Sequence, residues 1–250
     1  TISNRGGQLK EVLLKEFKTY DSLPVYLVKD WNATFSLNFT TAQDKKLNTK
    51  DLYFEPTLSE NNGSQVLSMK LKTSENTYLE YVYTLPKEGY MLDLVVRSQG
   101  LAGAVNTSKP MNIDWKLQAR RMEKSVTYEN RYTQVAIQYE GDRINRMSQA
   151  GNDEQKEEKV SWVAYKQHLF TSVLISDNPF EKGDFVSHNI AMNEGKEVKY
   201  TKNFLTSLPV KAKSGELSES LHFYFGPSDY NVLKKYNNKY ELTELIRLIR

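Results

Sequence analysis

The chain has 250 residues, 39% hydrophobic and 26% charged, with a formal net charge of +3 from 34 basic and 31 acidic side chains. That balance excludes intrinsic disorder for most of the chain, and the lack of any 18-residue apolar run excludes a membrane-spanning helix. Cysteine is absent, which removes disulfides, zinc ribbons and thiol nucleophiles together, and the basic residues are dispersed rather than striped, so no nucleic-acid partner is expected.

In chain order, Leu9, Val12, Leu13 and Phe17 fall at helical spacing, yet Gly6-Gly7 ahead of them and the β-rich sequence that follows favour a strand. Period-2 alternation then dominates. Phe35, Leu37 and Phe39 alternate with Ser36 and Asn38; Leu67, Met69 and Leu71 with Ser68 and Lys70. Tyr81, Tyr83 and Leu85 follow, then Leu92, Leu94 and Val96. Met111, Ile113, Trp115, Leu117 and Ala119 form the longest run, and Val135–Tyr139 and Leu221–Phe225 repeat the pattern. Each reads as a strand with one wet face. Turns are expected at Asn61–Gly63, Pro86–Gly89, Gln99-Gly100, Glu140–Asp142 and Lys182–Asp184. The charge run Asn152–Lys159 is expected to be a mobile surface loop. With 16 Tyr, 10 Phe and 3 Trp, the composition suits pleated, half-buried surfaces, and the expected fold is an all-β sandwich of well over a dozen strands.

The end of the chain differs. Ser228 is a plausible helix N-cap, and Tyr230, Leu233 and Tyr236 lie on one helical face; Leu242, Leu245, Ile246 and Ile249 repeat the spacing. The expected division is therefore 1–226 for the sandwich and 227–250 for a helical segment.

Catalytic templates are missing: no G-x-S-x-G elbow, no P-loop and no G-x-G-x-x-G. The histidines His168, His188 and His222 have no metal-ligand spacing, and their simplest reading is as unpaired surface or boundary side chains. The sharper alternative is a His–carboxylate acid/base pair in a cleft, as in sugar-converting sandwiches. No catalytic, cofactor or metal residue is assigned.

Three segments carry a resemblance: Gly6-Gly7-Gln8-Leu9, Trp162-Val163-Ala164-Tyr165-Lys166-Gln167-His168-Leu169-Phe170, and Phe225-Gly226-Pro227-Ser228-Asp229-Tyr230. In that order and spacing they resemble the large periplasmic domain of the YidC family of bacterial membrane-protein insertases. The resemblance implies a twisted β-supersandwich similar to galactose mutarotases, closed by short C-terminal α-helices. It implies a non-enzymatic, monomeric binding or chaperone module at the inner membrane, facing the periplasm next to transmembrane segments not present here. The implied partners are the Sec translocon, SecDF in particular, and nascent membrane-protein clients. A carbohydrate-binding or mutarotase-like role is the alternative. Within the motifs, Gly6, Gly7, Trp162, Gln167, Phe170, Gly226, Pro227 and Tyr230 are expected to be structural, with Pro227 at or near the first helical turn. Leu242, Leu245, Ile246 and Ile249 are the candidates for membrane-proximal contact.

Overall fold

A computed structural model describes residues 1–190 and 198–246. Strand accounts for 60% of the described residues and helix for 11%. The segment read against its helical period is a strand: β1 (Val12–Lys18) pairs with β2 (Pro24–Val28) in an antiparallel hairpin, and Phe17 packs edge-on against Phe170 at 5.2 Å.

The remaining strands join one antiparallel sheet. They are β3 (Ala33–Thr40), β4 (Lys46–Asn48), β5 (Glu55–Asn61), β6 (Ser64–Ser74), β7 (Thr77–Leu85), β8 (Met91–Gln99), β9 (Met111–Arg120), β10 (Gln134–Tyr139), β11 (Arg143–Arg146), β12 (Asp153–Lys166), β13 (Phe170–Asn189), β14 (Tyr200–Val210) and β15 (Ser218–Pro227). The sequence order is 4-3-9-14-13-15-8-7-6-5, with β12, β10 and β11 added alongside β13.

The 20-residue β13 makes this sheet a sandwich. Its first half, Phe170–Ser176, pairs with β15, and its second half, Asp184–Asn189, pairs with β14. One strand therefore belongs to both layers, and β3-β9-β14 folds back over β15-β8-β7. Rings that are distant along the sheet meet between the layers: Phe35 lies 5.5 Å from Phe223 and 6.1 Å from Tyr81, and Trp115 stacks on Tyr165 at 4.0 Å. The Tyr165 hydroxyl donates to the Trp115 carbonyl at 2.7 Å, so this buried polar group is satisfied. Each such aromatic contributes about 1.5–3 kcal/mol of burial. The alternating runs read from sequence supply this core, because residues i and i+2 of a strand share one face.

Two expectations fail here. Asn152–Lys159 is not a loop: Asp153–Glu158 pairs residue by residue with Ser187–Lys182. Its charges are matched across the ladder, with Lys156 3.1 Å from Asp184 and Asn145 donating to Glu157. A strand whose two faces are both polar carries no hydrophobic alternation and so reads as a loop. Lys182–Asp184 is likewise no turn, since β13 runs straight through it. Gly183 is there for room: a Cβ would lie 2.5 Å from Phe185 Cζ and 2.9 Å from Leu208 Cδ2. Gly183→Ala should therefore cost about 1–3 kcal/mol through overpacking, measured by urea unfolding. A change within error would show that Phe185 and Leu208 yield freely.

The helices include two short ones outside the C-terminus, α1 (Leu101–Ala104) and α2 (Val126–Asn130). After β15 come α3 (Tyr230–Leu233), a 3-10 turn Lys234–Tyr236, α4 (Asn237–Tyr240) and a second 3-10 turn Leu242–Leu245. The cap of α3 is Asp229, whose Oδ1 accepts the Val232 amide at 3.0 Å, and not Ser228. Pro227 stays in β15 opposite Phe170, ahead of the helix rather than in its first turn.

Candidate functional site

The second and third motif segments lie side by side, Phe170 opposite Pro227 in the ladder, while the first lies elsewhere, against β7. Gly6 and Gly7 take φ of 81° and 60°, and the Gly7 carbonyl accepts the buried Tyr83 hydroxyl at 2.8 Å. Gln167 is buried and bridges two elements, donating to the Arg120 carbonyl at 2.7 Å and to Glu129 Oε1 at 3.3 Å. Phe170 is buried beneath the β1–β2 hairpin. Gly226 lets rings approach the backbone, since a Cβ would meet Tyr224 and Tyr90 within 2.9 Å. The Pro227 carbonyl accepts the Tyr224 hydroxyl at 2.8 Å. Tyr230 is exposed on α3.

Trp162 and the C-terminal segment meet. Trp162 is 1% exposed and belongs to a second apolar cluster with Val173, Ile175, Leu233, Leu242 and Leu245. Its indole Nε1 donates to the Tyr240 carbonyl at 3.1 Å. Leu242 and Leu245 are thus buried against the sheet and Ile246 is half-buried, so these side chains give no exposed apolar face for a bilayer. The 3.6-residue spacing was real, but the sheet occupies the stripe. Ile249 lies outside the described residues. Polar ties reinforce this packing: Gln138 donates to Glu241 at 2.9 Å, Arg146 to the Glu244 carbonyl at 2.8 Å, and the Tyr90 amide to Tyr236 Oη at 3.0 Å.

Two of the three histidines are partnered, against the expectation of unpaired ones. His168 Nδ1 contacts Glu123 Oε1, with its ring stacked on Tyr132 at 4.3 Å. His222 Nδ1 lies 2.6 Å from Asp93 Oδ1, its direct cross-strand neighbour. His188 is exposed. Sequence gave no sign of either pair, because the partners lie 45 and 129 positions away. Glu129 was also missed. Burial pushes its carboxyl up to about 7, although the Met122 and Glu123 amides and Gln167 donate to it.

The concave features lie elsewhere. An apolar cavity of about 240 Å³ opens between the layers at the side away from β13. Leu37, Phe39, Leu71, Leu79, Met111 and, from α1, Leu101 line it. α1 is held over it by Glu216, whose Oε1 accepts the Gly100 amide at 2.6 Å. A mostly apolar recess of this size suits apolar groups; even an enclosed cavity of about 150 Å³ takes benzene. At its rim Lys72 pairs with Glu55 at 3.1 Å and opens onto a polar hollow where Glu80 meets Arg97 at 2.6 Å. Neither His168 nor His222 lines either of these two spaces. Among the described residues no cluster of acidic and histidine side chains is arranged to hold a metal ion, and no helix is long and apolar enough to cross a membrane.

A family model for the YidC periplasmic domain matches residues 1–244. The chain is 34% identical over 241 residues to the membrane protein insertase YidC of Porphyromonas gingivalis, covering 94% of this chain and 37% of the relative. It is 31% identical over 254 residues to that of Bacteroides fragilis, covering 99% and 40%. The chain thus spans about two fifths of the length of these relatives. The galactosidase domain of the alpha-galactosidase-sucrose kinase AgaSK superposes with a TM-score of 0.41 and 10% identity, covering 76% of this chain and 29% of that one, a likeness too loose to bear on chemistry.

Proposed function

This chain belongs to the YidC periplasmic-domain family, and we propose that it is the non-enzymatic binding module of an inner-membrane insertase, facing the periplasm. Its work is to hold apolar stretches of membrane-protein clients before they are buried in the bilayer, and to contact the Sec translocon through SecDF. The sandwich, residues 1–226, carries the binding surface; residues 227–250 lead toward the membrane, and with Leu242, Leu245 and Ile246 packed on the sheet the contact with lipid falls to Ile249.

The observation that supports a client-binding role is the apolar cavity under α1, which offers several leucines and Phe39 to a visitor while the charges at its rim are already paired. An apolar side chain entering it would leave water without stranding a polar group. Fluorescence anisotropy with a dansylated heptapeptide rich in Leu and Phe tests the reading. Ala104→Trp, which fills the cavity from α1, should weaken binding about tenfold, or 1.4 kcal/mol. A serine-substituted peptide that binds as well as the apolar one would overturn it.

A further inference from the structure

One corner of the sheet face that carries Trp162 is cationic. Gln134 of β10 stands directly opposite Lys166 of β12, and two residues along, Ala136 stands opposite Arg146 of β11. Residues paired across an antiparallel ladder share a face, as do residues two apart along a strand. Gln134, Lys166 and Arg146 therefore sit together at the border of the second apolar cluster, with Ala136 and Ala164 as the small residues beside them. Lys166 is 7% exposed and Gln134 2%. Their donors are left over. Gln134 Nε2 and Arg146 Nε are buried without a hydrogen-bond partner. Among the described residues the Lys166 ammonium has neither a hydrogen bond nor an ion pair, and Arg146 has no ion pair. Arg146 commits only Nη2, which donates to the Glu244 carbonyl at 2.8 Å.

We propose that Lys166, Arg146 and Gln134 form a pocket for a phosphate group, free or esterified. Two cations and a buried amide N–H with no acceptor are unfavourable in an empty site, because burial strips their water and nothing replaces it. Lys166 registers that cost: burial, then the like charge of Arg146, lowers its pKa. A bound phosphate removes both penalties. It supplies the counter-charge and offers oxygens to all three donors in charge-assisted hydrogen bonds. The geometry selects the anion. With Nη2 on the Glu244 carbonyl, the Nε–Nη2 fork that clamps a planar carboxylate is already engaged. What remains are single donors from three adjacent strands, approaching from different directions, as a tetrahedral oxyanion requires. The pocket shares no lining residue with the apolar cavity or the polar hollow, so it stands apart from the client-binding reading.

Calorimetric titration of the whole chain at neutral pH, at matched ionic strength, tests this with two probes: inorganic phosphate and monomeric dihexanoyl phosphatidylglycerol. Lys166→Met keeps the stem and removes the charge, and should weaken binding about tenfold. Gln134→Met leaves the net charge as it is and should weaken it by a similar factor, which bulk attraction of an anion would not do. Lys109→Met, at an exposed site, should bind like the native chain. Thermal unfolding adds an independent readout. In chloride Lys166→Met should melt no lower than the native chain, since it removes an uncompensated charge. Phosphate at ten times its Kd should raise the native melting temperature by roughly 3 °C or more and leave the variant where it was. Binding of the phospholipid as tightly as phosphate, or of the phospholipid alone, supports a headgroup pocket; binding of inorganic phosphate alone supports a site for the free anion. Binding of neither probe, or binding that Lys166→Met and Gln134→Met leave unchanged, overturns the proposal.

Discussion

Trp162→Ala should lower the free energy of unfolding by about 3–5 kcal/mol and the melting temperature by roughly 10 °C or more. The indole is the largest side chain of the second apolar cluster, fully enclosed between β13 and the C-terminal segment. Alanine would leave a cavity bordered by groups from both sides, and the site cannot collapse without moving either the sheet or the segment. The Nε1–H to Tyr240 carbonyl bond adds a directional component. Trp162→Phe separates the two: it keeps most of the buried ring and should cost only about 1–3 kcal/mol, chiefly from the carbonyl left without a donor. Urea unfolding followed by far-UV circular dichroism measures both. An alanine variant within 1 kcal/mol of the native chain would mean that Trp162 does not anchor the segment.

Glu129→Gln should change how stability depends on pH. The native carboxyl is buried and titrates near 7, against an ordinary value of 4.5. A raised acid binds more protons folded than unfolded between those two values, so the native chain loses stability as pH climbs from about 4.5 to 7. The loss is on the order of 2–3 kcal/mol. Glutamine does not titrate and retains an acceptor for the Met122 and Glu123 amides, so the variant should lack this decline. The measured quantity is the difference in unfolding free energy between variant and native chain, in which every other titrating group cancels. It should shift in the variant's favour with rising pH across that window. Parallel curves would show that the folded carboxyl titrates normally.

The strands were legible where one face is apolar. Phe35–Phe39, Tyr81–Leu85, Met111–Ala119 and Leu221–Phe225 lie inside strands of the structure because their alternation records the face turned to the core. Where neither face is apolar the record vanishes, as in Asp153–Glu158, whose order comes from partners on β13 about 30 residues on. Gly183 shows a related limit: glycine as a turn residue and glycine as a gap for a neighbouring ring look alike until the ring is located. Helical spacing marked the apolar residues of the C-terminal segment, but could not say whether sheet or lipid covers them. Least legible were the charged contacts. Asp93 and His222 meet because β8 and β15 are neighbours in one register. The motif segments located Trp162 and Gln167 but were silent on what those side chains touch: the Tyr240 carbonyl and Glu129.

The position of β15 has a consequence for synthesis on the ribosome. The last strand to be made is not added at an edge; it is laid between β13 and β8, with a ladder on each side. Until it emerges, β8 and β13 each present an unpaired row of amides and carbonyls to a gap one strand wide, and Phe223 is missing from the centre of the aromatic core. Pairings spanning more than 120 residues, as between Asp93 and His222, must then form together. Such long-range closure is slow, and the incomplete sheet is the most adhesive form the chain passes through. Vectorial folding can therefore stabilise the β5–β8 meander early but cannot finish the sandwich, whose closure waits for residues 218–227 to arrive.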